Sequence, residues 1–516
     1  MSASSKRAPI LIANRGEIAI RIARTAKALG FPTVALYSDA DRFSEHVKYC
    51  DQAYYLGGSA PKDSYLNVEK VIAAAKASGA KYVHPGYGFL SERPHFVDAC
   101  EKAGLIFVGP TAESMRSMGD KITARNTVQA AEVPGVPGSK GAVKNGAEAA
   151  TVAREIGYPI LLKATAGGGG KGMRRVDSEA EIESAFEGAS REALGAFGDG
   201  SMYVEKFILE PHHVEIQVFG DGKGGGVHLG ERECSIQRRH QKVWEESPAP
   251  ILEMFPKTRE AMFEAALRVV KQVKYAGAGT LEFIVDGKGN FYFLEMNTRL
   301  QVEHPVTEWV TGVDLVAWQI LLAAGEWKSP SIPERRGASI EVRVYAEDPQ
   351  TFLPAPGALN LIRMPQGAFV RADAAFTEQG EVSVHYDPMI AKMSVWAPTR
   401  GEAIDRVRVA LDETRVEPPK KPDGTQLGSL RTNLSFLRRL SRLPSVREGN
   451  TTTDLIARHT ELTQDEVSGQ CSREAAVALS LYQLLQEHEA VAGGDQPRGA
   501  SGSPWALLAR REGVRL

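Results

Sequence analysis

Cysteine is scarce. Cys50, Cys100, Cys234 and Cys471 lie far apart in a chain of 516 residues, and none belongs to a CxxC pair. That spacing argues against a disulfide framework and a zinc site, and predicts reduced, mostly buried thiols. No stretch of 18 unbroken apolar residues occurs, and the start MSASSKRAPILIANRG has too short an apolar run for a secretory signal. The chain is therefore read as cytoplasmic. Neither sign of charge is in excess: 62 basic against 64 acidic side chains give a net charge of -2. No global field draws nucleic acid or a membrane surface, so a charged ligand has to be caught locally. There is no HExxH, no triad spacing, and the first strand–helix turn reads NRGEIA rather than GxGxxG. Zinc hydrolysis, nucleophilic hydrolysis and dinucleotide-dependent hydride transfer lose their support accordingly.

What is present is an ordinary globular composition, long enough for about three domains. An apolar run at Ile10–Ala13, an amphipathic stretch Glu17–Leu29 stopped by Gly30, and a second run Thr33–Tyr37 predict a βαβ unit. The alternation continues through Lys81–His84 and Leu105–Val108, which predicts a helix-covered parallel sheet, Rossmann-like in form. From about Asp120 the pattern shifts to hairpins and longer helices, including Ser178–Phe197, where Ser178 and Glu181 have capping-box spacing. After Pro330 a β-rich region runs to about Trp396, followed by a helix over Arg400–Thr414 and a polar, Pro-rich loop over Glu417–Ser429. One further helix is predicted over Arg473–Glu489, then a flexible linker over Gly493–Pro504. The fold class expected is multidomain, α/β followed by α+β.

The segment TAGGGGKGM, Thr165–Met173, joins two short strand patterns, so Lys171 opens no helix and a Walker-type phosphate loop is excluded. Consecutive glycines can still aim backbone N–H groups at phosphate oxygens, with Lys163 adding a point charge. Taken alone, the loop reads equally well as a flexible hairpin tip.

Two strand patterns in GTLEFIVDGKGNFYFLEMNTR, Gly279–Arg299, flank a turn at Gly287–Asn290. Pairing Asp286 with Phe291 puts Glu282 opposite Glu295. Like charges that close repel unless a cation lies between them, and Mg2+ favours such hard oxygen ligands. If the chain stays extended, Glu295, Asn297, Arg299, Gln301 and Glu303 share one face. The alternative is an edge strand with a solvated polar face. As a site, Glu282, Glu295 and Asn297 suit a metal, Arg299 a carboxylate-like group, and Glu303 a base. The basic run SIQRRHQKV, Ser235–Val243, is by itself a solvated charge run, and in this context an anion-binding wall. His84 and His213, each taken alone, read as structural.

Several long stretches occur in the order of a known family: IANRGEIAIRIAR, HPGYGFLSE, MGDK, KATAGGGGKGMR, VEKFI, HVEIQVFGD, QRRHQKVWEESPAP, LEMNTRLQVEHPVTE, VRVYAEDP, FLPAPG and HYDPMIAK. On these the chain resembles the biotin carboxylases of the ATP-grasp superfamily over nearly all of residues 9 to 460. The resemblance implies a Rossmann-like N-terminal domain (1–118), an ATP-grasp domain (119–330) with a lid near 136–205, a β-rich biotin carboxylase C-terminal domain (331–460) and a tail (461–516). It implies nucleotide contacts from Lys121, Lys163, Gly167, Gly168, Gly169, Gly170 and His213, an adenine hinge at Glu205, Lys206 and Ile208, and ribose contacts from Gln237 and His240. Glu282, Glu295 and Asn297 fall at the magnesium or manganese position. Lys242, Arg299, Gln301 and Val302 match the bicarbonate pocket, Glu303 the general base, and Arg343 the residue that stabilises the enolate-like form of biotin.

The implied cofactors are ATP, Mg2+ or Mn2+, and biotin carried by a partner protein. The implied partners are a biotin carboxyl carrier protein, a carboxyltransferase subunit and a second copy in a homodimer, with no nucleic acid and no membrane. Three departures stand out. Glu417–Ser429 is an insertion; Val342, Val344 and Tyr345 replace Cys, Ile and Asn beside an intact Arg343; and no Ala-Met-Lys-Met acceptor is found, MIAKM at Met389 reading as structural. The context expected is an acetyl- or propionyl-CoA carboxylase. The alternatives are a pyruvate, methylcrotonyl-CoA or urea carboxylase and, outside enzymes, a silent nucleotide-binding assembly subunit.

Overall fold

The computed structural model describes residues 7–119, 121–165, 173–238, 241–422 and 425–464, with positions 477, 478, 480 and 481. The chain divides into two compact units, Met1–Thr463 and Gln464–Leu516. In the second, the expected helix Arg473–Glu489 and linker Gly493–Pro504 fall, but for those isolated positions, outside the described residues.

Five parallel strands open the first unit: β1 (Ile10–Ile12), β2 (Thr33–Ser38), β3 (Gln52–Gly57), β4 (Tyr82–His84) and β5 (Ile106–Phe107), in the order β3-β2-β1-β4-β5. The order reverses beside β1, the crevice at which open parallel sheets bind ligands. β1 is buried on both faces, which accounts for its unbroken apolar run. The helix after it, Gly16–Ala28, begins one residue earlier than its apolar pattern indicated.

A small antiparallel sheet, β6 (Ile160–Ala164), β7 (Met173–Val176) and β8 (Met202–Lys206), packs with the helices Gly146–Ile156 and Ile182–Phe197 around a hydrophobic core of its own. The expected capping box at Ser178 is not formed. Ser178 Oγ donates to the Glu181 carboxylate instead of accepting from the backbone, and a 3-10 turn, Glu179–Glu181, delays the α-helix to Ile182. Among the described residues the reciprocal box stands elsewhere, at Thr399 and Glu402, opening the helix Arg400–Glu413. Thr399→Ala is expected to cost about 1 kcal/mol in urea unfolding.

The largest sheet has eight strands. β9 (His212–Asp221), β10 (Gly226–Arg238), β11 (Gln241–Ser247), β12 (Ala276–Val285), β13 (Phe291–Asn297) and β14 (Ala338–Tyr345) continue into the strands Met389–Ala397 and Val370–Ala374, in the order β13-β12-β9-β10-β11-β14-(389–397)-(370–374). MIAKM thus lies inside a sheet, with Lys392 buried and its Nζ donating to the Val302 carbonyl. The stretch expected as a loop at 417–429 is partly tied down: Arg415–Glu417 pairs with Leu361–Arg363, and Lys420 bridges Gln426. Cys50, Cys100 and Cys234 are free thiols. No single described helix is long and apolar enough to cross a membrane.

Candidate active site

The expected opposition of Glu282 and Glu295 is present, reached by another register. Val285, not Asp286, pairs with Phe291, because the Asp286 carboxylate is spent inside the turn, accepting from the amides of Lys288 and Asn290. The register then shifts by one between Phe283 and Glu282, with Leu294 as the extra residue, and this β-bulge restores the pair. On its other side Glu282 faces Glu215 of β9. Three carboxylates therefore stand in one row across three strands.

Lys242 neutralises one gap in that row. Its Nζ donates to Glu215 at 2.6 Å, Glu282 at 3.0 Å and Glu303 at 2.6 Å. Burial opposes the ammonium charge, but these carboxylates hold its pKa well above the ordinary lysine value. The other gap, between Glu282 and Glu295, has no such bridge: the Glu295 side chain makes no hydrogen bond or ion pair among the described residues, and its carboxyl is pushed up by desolvation and then by Glu282 and Glu92. An acidic gap with hard oxygen donors fits Mg2+ or Mn2+. Asn297 lies beside it, its amide donating to Glu282 at 2.8 Å and its oxygen accepting from Arg299 at 2.8 Å. Since the Glu295 carboxylate has no partner among the described residues, Glu295→Gln is expected to weaken Mn2+ binding in a calorimetric titration at least about tenfold with the melting temperature unmoved.

The strand does not stay extended to residue 303. β13 stops at Asn297; the Thr298 amide turns to Glu92, and Glu303 stands at the N-cap position of the helix His304–Thr311 without a side-chain capping bond, Pro305 favouring the helix start. The turn nevertheless converges the expected side chains. Gln301 donates to Glu282 at 2.8 Å and Arg299 to Glu92 at 2.7 Å. Glu303, 1% exposed, takes Lys242 on one oxygen and Arg343 on the other, the latter at 2.9 Å. Burial would raise its pKa; Lys242, then Arg343 and Arg232, hold it far below the usual carboxylate range. His213 Nε2 meets Glu282 at 2.9 Å while Gln237 donates to Nδ1, a pattern that assigns the proton to Nε2. Burial also raises Glu282, yet Lys242 and His213 bring it well below its ordinary value.

Lys163, Glu205 and Lys206 make other contacts among the described residues. Lys163 on β6 pairs with Glu205 on β8 at 2.5 Å, and Arg125 meets the other Glu205 oxygen at 3.0 Å. The Lys206 ammonium caps the carbonyls of Gly157 and Tyr158, and Ile208 follows β8 half-buried. Gly167–Gly170 and His240 fall outside the described residues, as does the side chain of Lys121. Sequence reasoning gave no role to Glu92, Glu215 or Arg232. Arg232 is fully buried and donates to Glu215, Gln217, Thr307, Thr280 and Gln301. A signal for Glu215 existed in HVEIQV, where polar His213, Glu215 and Gln217 alternate with valine and isoleucine on a strand with no exposed face.

Comparison with known proteins follows the same layout. Residues 6–115 match the model of the biotin carboxylase N-terminal domain, 120–329 that of the carbamoyl-phosphate synthase L chain ATP binding domain, and 341–458 that of the biotin carboxylase C-terminal domain. A biotin carboxylase of Halalkalibacterium halodurans is 47% identical over 453 residues, covering 87% of this chain and 97% of that one. The chain belongs to the biotin carboxylase family. Like other biotin carboxylases it is an ATP-dependent ligase, and the family works with ATP, a divalent metal and carrier-borne biotin. The propionyl-CoA carboxylase alpha chain of Ruegeria pomeroyi is 49% identical over 87% of this chain, which spans 67% of that protein. The mitochondrial methylcrotonoyl-CoA carboxylase subunit alpha of Mus musculus is also 49% identical, and the chain spans 62% of it. The biotin carboxylase domain dimer of Hydrogenobacter thermophilus 2-oxoglutarate carboxylase, solved with MgADP, ADP and bicarbonate, superimposes with a TM-score of 0.79 at 43% identity, over 89% of this chain and 99% of that one.

Proposed function

We propose that this chain carboxylates biotin on a separate carrier protein, using ATP and bicarbonate, as the biotin carboxylase component of an acetyl- or propionyl-CoA carboxylase. The observation that carries the reading is Glu303, a buried carboxylate with each oxygen on a different cation. Both oxygens are thereby quenched, and Glu303 becomes an effective base only when an incoming anion takes over one of its cations. Bicarbonate seated on Lys242, Arg299, Gln301 and the Val302 amide does this, and brings its proton to the carboxylate. Its deprotonated oxygen attacks the γ-phosphate of ATP, giving carboxyphosphate and ADP. Carboxyphosphate breaks down to carbon dioxide and phosphate; phosphate removes the biotin ureido proton, and the ureido nitrogen attacks carbon dioxide while Arg343 stabilises the enolate-like form.

A divalent cation on Glu282, Glu295 and Asn297 supplies charge neutralisation at the phosphoryl group. Lys121, Lys163 and His213, with the glycine amides at 167–170, hold the nucleotide phosphates; Glu205, Lys206 and Ile208 hold adenine, and Gln237 and His240 the ribose. The unit at about 136–205 has its own hydrophobic core, which supports movement as one body over the nucleotide and protection of carboxyphosphate from water. The same reading makes the enzyme a cytoplasmic homodimer with a carrier and a carboxyltransferase as partners. The equal identity to a methylcrotonoyl-CoA carboxylase subunit favours a second complex with the same half-reaction. Phosphate release from MgATP that requires both bicarbonate and biotin is the expected result. ATP bound without such turnover, on free biotin or on a biotinylated carrier, moves the reading to a silent subunit. Co-purification with one transferase decides between the complexes.

A further inference from the structure

Behind Arg343 the sheet buries two carboxylates that the chemistry above does not use. Glu245 of β11 stands directly opposite Glu341 of β14, and both are fully buried. Residues so placed have Cβ atoms about 4.5–5.5 Å apart, where two like charges repel. Glu245 ion-pairs with Arg343 Nη2 at 2.5 Å, but the same nitrogen also serves Glu303. Neither oxygen of Glu341 has a hydrogen-bond partner among the described residues. The other cations acting on the pair are Lys392, on the neighbouring strand opposite Arg343 in register, and, on Glu245 alone, Lys242, which already donates to Glu215, Glu282 and Glu303; the Lys392 charge also acts on Glu17 and Asp373, which Arg371 and Arg21 face as well. Around Glu341 there are thus more carboxylates than cations. An ionised, unpaired Glu341 would carry the full penalty of a buried charge, whereas a protonated one can donate to Glu245.

We propose that Glu245 and Glu341 hold one proton in common and act as a positioning pair for Arg343, setting how much of its guanidinium charge reaches the biotin site. With the proton in place, Arg343 divides its charge between Glu245 inside the sheet and the reacting side. When the proton leaves, a second buried anion competes for the guanidinium and draws it inward. The directions of titration agree: burial first and then Glu303 raise Glu245 to about 7 against the pull of Arg343 and Lys242, and burial with Glu245 and Glu303 raises Glu341 well above its ordinary value against Lys392 and Arg343.

The activity part of the inference rests on the carboxylase reading; the proton does not. Isotope-edited infrared spectroscopy of the full chain, labelled at glutamate carboxyls, is expected to show a protonated-carboxyl band near neutral pH that is missing from the E341Q spectrum. In wild type, kcat/KM for biotin is expected to fall about tenfold per pH unit on the alkaline side, with KM for MgATP steady, and E341Q to lack that fall. An unchanged band in E341Q, or the same alkaline fall in both proteins, overturns the proposal. Should E341Q not fold, titration of the wild-type band replaces it: a band present at neutral pH and lost on raising the pH supports the pair, and its absence at neutral pH overturns it. A band that behaves as expected in a protein without biotin-dependent turnover supports the pair and overturns the carboxylase reading instead.

Discussion

Replacing Glu303 by glutamine is expected to lower bicarbonate- and biotin-dependent phosphate release by about 10²- to 10⁴-fold, the usual range for losing a positioned base. Glutamine keeps the volume and one acceptor, and the cation left facing its NH2 keeps another carboxylate, Glu215 and Glu282 for Lys242 or Glu245 for Arg343, so the pocket keeps its shape. What goes is the ability to take a proton. Retained activity would remove Glu303 from the role of base, and the assay is the same phosphate-release measurement with MgATP held saturating. The pH dependence of stability has a definite sign. Glu303 titrates lower in the folded chain than in the unfolded one, so its contribution is complete above the unfolded value, about 4.3, and is lost only as the pH falls toward the depressed folded value. The charged pairs around Glu303 therefore hold through the neutral range, and wild type should pull away from Glu303→Gln in stability as the pH rises through the acid range.

Arg232→Met should be the most damaging single change to the fold. Its guanidinium is fully buried and bonded to Glu215, Gln217, Thr280, Gln301 and Thr307. Methionine fits much of the volume but leaves the Glu215 carboxylate with Lys242 alone and strips a donor from Gln301, whose amide holds Glu282. Breaking a buried ion pair by removing one partner costs about 3–5 kcal/mol. Urea unfolding with an unchanged slope and a midpoint shifted by that amount is the expected record; a shift under about 1 kcal/mol would mean that the fold does not depend on this ion pair. Arg232→Lys should recover little, because an ammonium cannot reproduce the five planar contacts.

How far the sequence was legible depended on what each residue answers to. Period-2 and period-3.6 patterns located β1, β2, β4 and the helix at Gly16–Ala28, because one layer of packing decides those elements. The edge strand β3 was missed because its run AYYL shows no polar–apolar alternation, the exposed positions Ala53 and Tyr55 being apolar as well. The opposition of Glu282 and Glu295 was legible although the register behind it was not: a turn tightened by Asp286 and a bulge at Leu294 cancel, and neither leaves a mark in the alternation. Glu303 was picked out by the alternation from Glu295 as well as by a family motif, although the strand does not stay extended to it; Arg343 was legible through a family motif alone, being forty residues away on a different element. The pairing of Glu245 with Glu341 was not legible, because it depends on β11 lying beside β14, a fact of the whole sheet rather than of any segment.

That sheet carries a consequence for exchanging parts among carboxylases. The spans matched by the ATP-binding and C-terminal models look like separable modules along the chain, yet β11 and β14 share one ladder, and Lys242, Glu303 and Arg343 meet across that seam. A chimera joined near residues 328–336 would keep every motif of both parents and still have to re-register Trp244 on Val342 and Glu245 on Glu341. Recombination is therefore expected to succeed where both parents agree on these ladder pairs, and to give well-folded but idle proteins where a one-residue slip turns Arg343 to the opposite face.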